Sequence, residues 1–230
     1  MARGKKKSKD FGTYLSESVG DWLESGSKGV ESEWFAMTEW SALRGPLLAC
    51  DPGQGMNEDD ALLLPQLGAG NYVLSVKGMD FNGHRRIARL RISRAGVDAD
   101  ALTPGDPLGE VPVDHGIFGF VDYGEVERIL PKDHPDLARL ADALTEEILG
   151  IGNGFYGAVV GLEMGKHTGG GEADNIVFPC VECGLGDGGY PVFPLLDAKG
   201  QVQGAEAEFL PPGFVMDEDV PMLGGGADED

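Results

Sequence analysis

Glycine is the residue that most restricts what this chain can become. It supplies 37 of 230 residues, about 16% against a background of about 7%. Each glycine inside a helix costs roughly 0.5–1 kcal/mol relative to alanine, so a helical bundle tolerates this density poorly. Turns and β-loops tolerate it well. With 41% hydrophobic residues the chain can still bury a core, which argues against wholesale disorder. The prediction is a loop-rich fold whose framework is β-sheet.

Charge narrows the function. Lysine and arginine number 18 against 39 aspartates and glutamates, a formal net charge of -21. Such a surface repels phosphate backbones and anionic lipid, so neither nucleic acid nor a membrane surface is expected as a partner. The apolar runs fall far short of the roughly 18 residues a spanning helix needs. Residues 1–10 carry Arg3, Lys5, Lys6, Lys7 and Lys9 beside Asp10, and 217–230 carry six acidic residues. The first dozen residues therefore read as a disordered basic arm and 211–230 as an acidic, flexible tail. A basic start could open a signal peptide, but acids, Gly and Ser follow where an apolar stretch is required. Three cysteines do not make a secreted disulfide framework, so a reducing cytoplasm is the expected compartment.

Periodicity places the elements. Leu47–Cys50 is a short apolar run stopped by Asp51-Pro52-Gly53. Asn71–Lys77 and Ile87–Ile92 alternate apolar and polar residues around Asn82-Gly83, which predicts an antiparallel hairpin with Arg89 and Arg91 on its solvent side. Asn175–Val181, Gly189–Leu196 and Gln201–Phe209 are further strand candidates. Helix signals lie at 134–149, where Leu137, Leu140, Leu144 and Ile148 form a stripe after Asp133-His134-Pro135. A shorter helix is expected over 122–130, with Asp122 and Glu125 as a loose capping pair. Another is expected over 31–43, where Trp34, Met37 and Trp40 follow helical spacing. The expected fold class is α+β with a mainly antiparallel sheet, one core domain over 44–210, and an N-terminal extension over 13–43.

The pieces GPLLACDP (45–52), GAGNYVLSV (68–76), RRIARLRIS (85–93), VDHGIFGFVD (113–122), CGLGDGGYPVF (183–193) and DAKGQVQGAEAEF (197–209) occur in this order. Together they resemble the bacterial family called domain of unknown function 4241, over about residues 44–209. GDGGYPV is the most specific of them. The resemblance implies a fold and carries over no catalytic residue.

Chemistry-bearing residues form four groups. Asp51, Asp114, Asp122 and Asp187 sit at strand ends or in Gly-rich turns. Converged, they would suit a hard cation such as calcium or magnesium, or a carboxylate-based hydrolytic site. Dispersed, they are turn residues that accept backbone N–H groups, and no cofactor is then implied. In GLGDGGYPVF, Gly186, Gly188 and Tyr190 read first as a tight structural loop and second as a ligand contact. Cys180 and Cys183 form a C-x-x-C without the further ligands a zinc site needs, so they read as structural thiols. His115, beside Asp114, is the most suggestive histidine for a general base. Phe11, Tyr14 and Trp22 are spaced anchors suited to docking on a partner or a second copy. The leading expectation is a non-enzymatic, immunity-like module that presents an acidic surface to a basic protein. A metal-dependent hydrolase or metal-binding protein and a self-assembling structural protein are the alternatives.

Overall fold

A computed structural model describes residues 28–54, 60–81, 84–129, 158–163 and 175–215. The helix expected over 134–149 and the anchors Phe11, Tyr14 and Trp22 lie outside these residues. Two antiparallel sheets dominate what is described. The larger has seven strands: β1 (Val30–Ala42), β4 (Gly70–Phe81), β5 (His84–Arg94), β12 (Val202–Glu208), β11 (Gly188–Leu196) and β6 (Thr103–Pro104) in that order, with β7 (Gly109–Val113) also on β11. The smaller runs β3 (Ala61–Leu64), β2 (Leu47–Cys50), β8 (Ile117–Asp122), β10 (Asn175–Glu182) and β9 (Ala158–Glu163). A short helix, α1 (Tyr123–Ile129), follows β8. Among the described residues, no helix is long and apolar enough to cross a membrane.

The alternation in β4 and β5 does what such patterns do: Tyr72, Leu74, Val76, Leu90 and Ile92 all turn into one core. The two strands pair from Tyr72↔Arg94 to Phe81↔His84, as the Asn82-Gly83 signal requires, although those two residues themselves are outside the described set. The smaller sheet contributes Leu47, Ala49, Phe118 and Phe120 to the same core. Every residue of β2 and β8 is buried, which explains why LLAC reads as a continuous apolar run rather than an alternating one. Phe209 sits between the layers, 5.4 Å from the Phe118 ring and 5.1 Å from Tyr190.

Residues 30–42 form β1, not a helix. Two bulges explain the misleading period. The pairing with β4 slips between Glu31 and Trp34 and again between Ala36 and Thr38, each slip leaving an extra residue on β1. An extra residue stretches a period of two locally to three, so exposed positions recur at Val30, Glu33, Ala36 and Glu39. The second bulge also reverses the strand's faces. Trp34 stacks over the Arg91 guanidinium at 3.9 Å on the outer side, while Trp40 is buried beside Tyr72 in the core. Residues 30–42 of the segment expected as an extension are thus an edge strand of the larger sheet among the described residues.

Arg89 and Arg91 face away from the core as expected, but not into solvent. Arg91 is 7% exposed and Glu206 of β12 only 1%. The Arg91 Nε and Nη2 both donate to Glu206 Oε2 at 3.1 and 2.9 Å, and Nη1 donates to the Ala99 carbonyl. Arg89 reaches Glu206 at 3.1 Å and Glu208 at 2.8 Å. The indole of Trp34 covers one side of this row. Opposite charges on adjacent strands can bury themselves because each satisfies the other.

Candidate functional site

Three glycine-containing turns, 51–54, 114–116 and 183–188, converge at one end of the two sheets. The first begins where β2 stops. Asp51 is fully buried, and its carboxylate folds the chain around itself: Oδ1 accepts the Gly53 N–H at 2.8 Å, while Oδ2 accepts those of Asp114 at 2.9 Å and His115 at 2.8 Å. The His115 Nδ1 lies 3.2 Å from the same Oδ2. An ionised carboxylate can only accept here, so the contact fits the tautomer with its hydrogen on Nδ1 and with Nε2 as the unprotonated nitrogen. Gly53 makes room for this: a Cβ at that position would stand 2.6 Å from the ring's Cγ. The partner of His115 is therefore Asp51, 64 residues away, and not its sequence neighbour Asp114.

The third turn, 183–188, is held from beneath. Cys183 donates its N–H to the Gly116 carbonyl at 2.9 Å, and Gly186 returns an N–H to the Cys183 carbonyl. The Gly186 carbonyl accepts both the Cys183 thiol at 3.2 Å and the Tyr190 hydroxyl at 2.6 Å. Gly184 (φ +43) and Gly186 (φ +108) adopt conformations that side chains rarely take. Tyr190 is buried, so its hydroxyl fixes the loop from inside and its ring is not a surface contact. Gly188 is exposed and pairs with Val113. Asp114 and Asp187 follow and precede this last pair of the two strands, and both are exposed. The Glu110 carboxylate lies over Gly189 on the same pair of strands.

The four aspartates do not share one point. Cys50 pairs with Gly119 and Leu47 with Asp122, which puts Asp51 and Asp122 at opposite ends of the β2–β8 pair. Asp122 is engaged elsewhere: it accepts N–H groups from Leu43 (2.6 Å), Arg44 (2.9 Å), Gly45 (2.7 Å) and Glu125 (3.2 Å). The last of these caps α1, as the Asp122–Glu125 spacing suggested. Glu125 in turn holds Arg128 and Arg44, and Arg128, with desolvation opposing and Arg44 assisting, keeps its carboxyl below the ordinary range. Among the described residues, no group of three or more His, Cys, Asp or Glu is arranged to hold a metal.

The cysteines are all free and buried. Burial alone pushes the Cys180 thiol up to about 12. Desolvation, reinforced by Asp51, raises Cys50 as well, and desolvation raises Cys183. Thiolate is the reactive form, so no activated sulfur accompanies the Asp51–His115 pair. In native protein at pH 8 an aromatic disulfide reagent is expected to modify none of the three within minutes, and all three after denaturation. One fast equivalent in the native state would overturn this assignment.

Comparison with known proteins adds no family: no family model matches the chain, and no curated protein or solved structure matches it either.

Proposed function

We propose that this chain is a non-enzymatic binding module that presents an acidic rim, Glu110, Asp114 and Asp187, to a basic segment of a partner protein. The observation that carries the reading is that Glu110, Asp114 and Asp187 are all exposed on or beside the paired β7 and β11. Exposed like charges grouped in one region repel one another, and a cation set among them relieves that repulsion. Among the described residues, six cations are engaged in ion pairs away from this rim. Lys77 binds Glu31, Arg86 binds Glu182, Arg89 and Arg91 share Glu206, and Arg44 and Arg128 share Glu125. Asp51 and Asp122 are buried and committed to backbone N–H groups, and this disfavours the metal-dependent hydrolase. On this reading the protein is a cytoplasmic, immunity-like module that keeps its buried thiols reduced. The helix expected over 134–149 would complete an α+β domain of the kind the resemblance to domain of unknown function 4241 implies.

Binding of a lysine-rich peptide, followed by calorimetry at low salt, tests the proposal. Replacing both Asp114 and Asp187 with Asn is expected to weaken binding about tenfold, equivalent to about 1.4 kcal/mol, mainly by slowing association. Raising the salt to ~0.5 M should weaken the wild type by a similar factor. Equal affinities for wild type and double variant, or no binding at low salt, would reject the rim as the docking surface.

A further inference from the structure

His115 carries one hydrogen-bonding group for which the described residues provide no partner. Its backbone N–H and its ring Nδ1 meet the same Asp51 oxygen, at 2.8 and 3.2 Å, so main chain and ring are fixed to one buried atom. The Gly53 backbone closes in beside the ring, where a Cβ would stand 2.7 Å from Nδ1. A neutral imidazole with its hydrogen on Nδ1 has one polar group left, the in-plane lone pair of Nε2, which can only accept. The two ring nitrogens diverge, so Nε2 turns away from the buried carboxylate that Nδ1 faces. Among the described residues Nε2 has no hydrogen-bond partner, and the His115 side chain is 37% exposed.

The turn beside the ring is built from glycine. Gly116 (φ +65) lies against Gly186 of the 183–188 turn: a Cβ on Gly116 would stand 3.5 Å from the Gly186 Cα, and one on Gly186 would meet nothing within 4 Å. Backbone without Cβ atoms lets another chain come close. Exposed carboxylates flank the place, since Asp114 precedes His115 and Asp187 follows Gly186. An acceptor already held rigid loses little further freedom when a donor arrives, and between carboxylates the favoured donor is a cation. Guanidinium suits it better than ammonium. Its five N–H donors spread over a planar fork and it is weakly hydrated, so one edge can address Nε2 while another addresses a carboxylate. An ammonium is a compact, strongly hydrated point charge, which carboxylates alone satisfy as well.

We propose that His115 Nε2 sets the specificity of the acidic rim by accepting an N–H from an arginine side chain of the basic partner, with Asp51 as the positioning residue that holds the ring. This rests on the rim being the docking surface and adds the identity of the cation: arginine in preference to lysine.

Calorimetry of the full chain at pH 8 and low salt, with the lysine-rich peptide and a copy of it carrying Arg at every Lys, tests the proposal. The wild type is expected to bind the arginine peptide about tenfold more tightly, the factor that one hydrogen bond to a charged group supports. His115→Ala should abolish the preference, weakening the arginine peptide about tenfold and the lysine peptide by less than about twofold, with an unchanged urea midpoint. The unaltered chain gives a second reading that needs no variant. In a long-range proton–nitrogen correlation spectrum, Nε2 should resonate as an unprotonated imidazole nitrogen and shift upfield with the arginine peptide but not with the lysine peptide. Equal wild-type affinity for the two peptides, an arginine preference that survives His115→Ala, or Nε2 found protonated in the free protein would each overturn the proposal and leave the rim standing. Failure of both peptides to bind would reject the rim and the His115 contact together.

Discussion

Asp122→Ala is expected to lower the free energy of unfolding by about 3–5 kcal/mol, measured by urea denaturation with tryptophan fluorescence. Four backbone N–H groups converge on this one buried carboxylate, three of them consecutive in the turn between β1 and β2 and the fourth at the start of α1. Hydrogen bonds to a charged acceptor contribute about 1.5–3 kcal/mol each, and a buried donor left unmet costs about 1–3 kcal/mol. Partial rehydration of the turn keeps the total below the sum of four bonds. Asp122→Asn tests the cause more sharply. It retains the shape and one acceptor but turns an N–H₂ group toward donors, so it should still lose more than about 1 kcal/mol. An alanine variant unfolding at the wild-type midpoint would show that the turn stands without its carboxylate.

The second large effect is expected at Glu206. Glu206→Leu leaves Arg91 buried without its anion and should cost about 3–5 kcal/mol, the usual penalty for breaking one side of a buried pair. Arg89 loses less, because Glu208 remains 2.8 Å away. Replacing both partners, Arg91→Met with Glu206→Leu, removes the uncompensated charge. The double variant is expected to recover most of the loss, to within about 1–2 kcal/mol of wild type. Part of what stays lost is the stacking of Arg91 on Trp34, about 0.5–2 kcal/mol. If the double variant were as unstable as the sum of the two singles, the charges would be acting independently, and the buried pair would not be what holds that face.

Much of the framework was legible because it is written in local patterns. The Asp51-Pro52-Gly53 stop, the alternation of β4 and β5 and the Asp122–Glu125 cap each depend on neighbours within a few residues, and each appears in the structure where expected. The β1 strand was misread for a definite reason. A bulge adds one residue to a two-residue period, and two bulges in thirteen residues imitate helical spacing. The burial of Arg89 and Arg91 left a fainter trace: arginines alternating in RIARLRI are matched by glutamates alternating in EAE. The match becomes visible only when β5 and β12, more than 100 residues apart in the chain, are set side by side.

The candidate site shows the same division. That Asp51, His115 and the glycines of 183–188 stand in turns follows from composition and spacing. Which carboxylate holds His115 does not, because adjacency in sequence favoured Asp114, whose backbone N–H instead donates to Asp51. By itself the sequence determined a glycine-rich, antiparallel and acidic protein, since backbone freedom, side-chain alternation and charge belong to residues one at a time or in short runs. The tertiary structure alone decided that Asp51 and Asp122 lie apart, that Asp51 rather than Asp114 holds His115, and that Glu206 meets Arg91. Those relations are set by strand register and sheet order, which no residue carries locally.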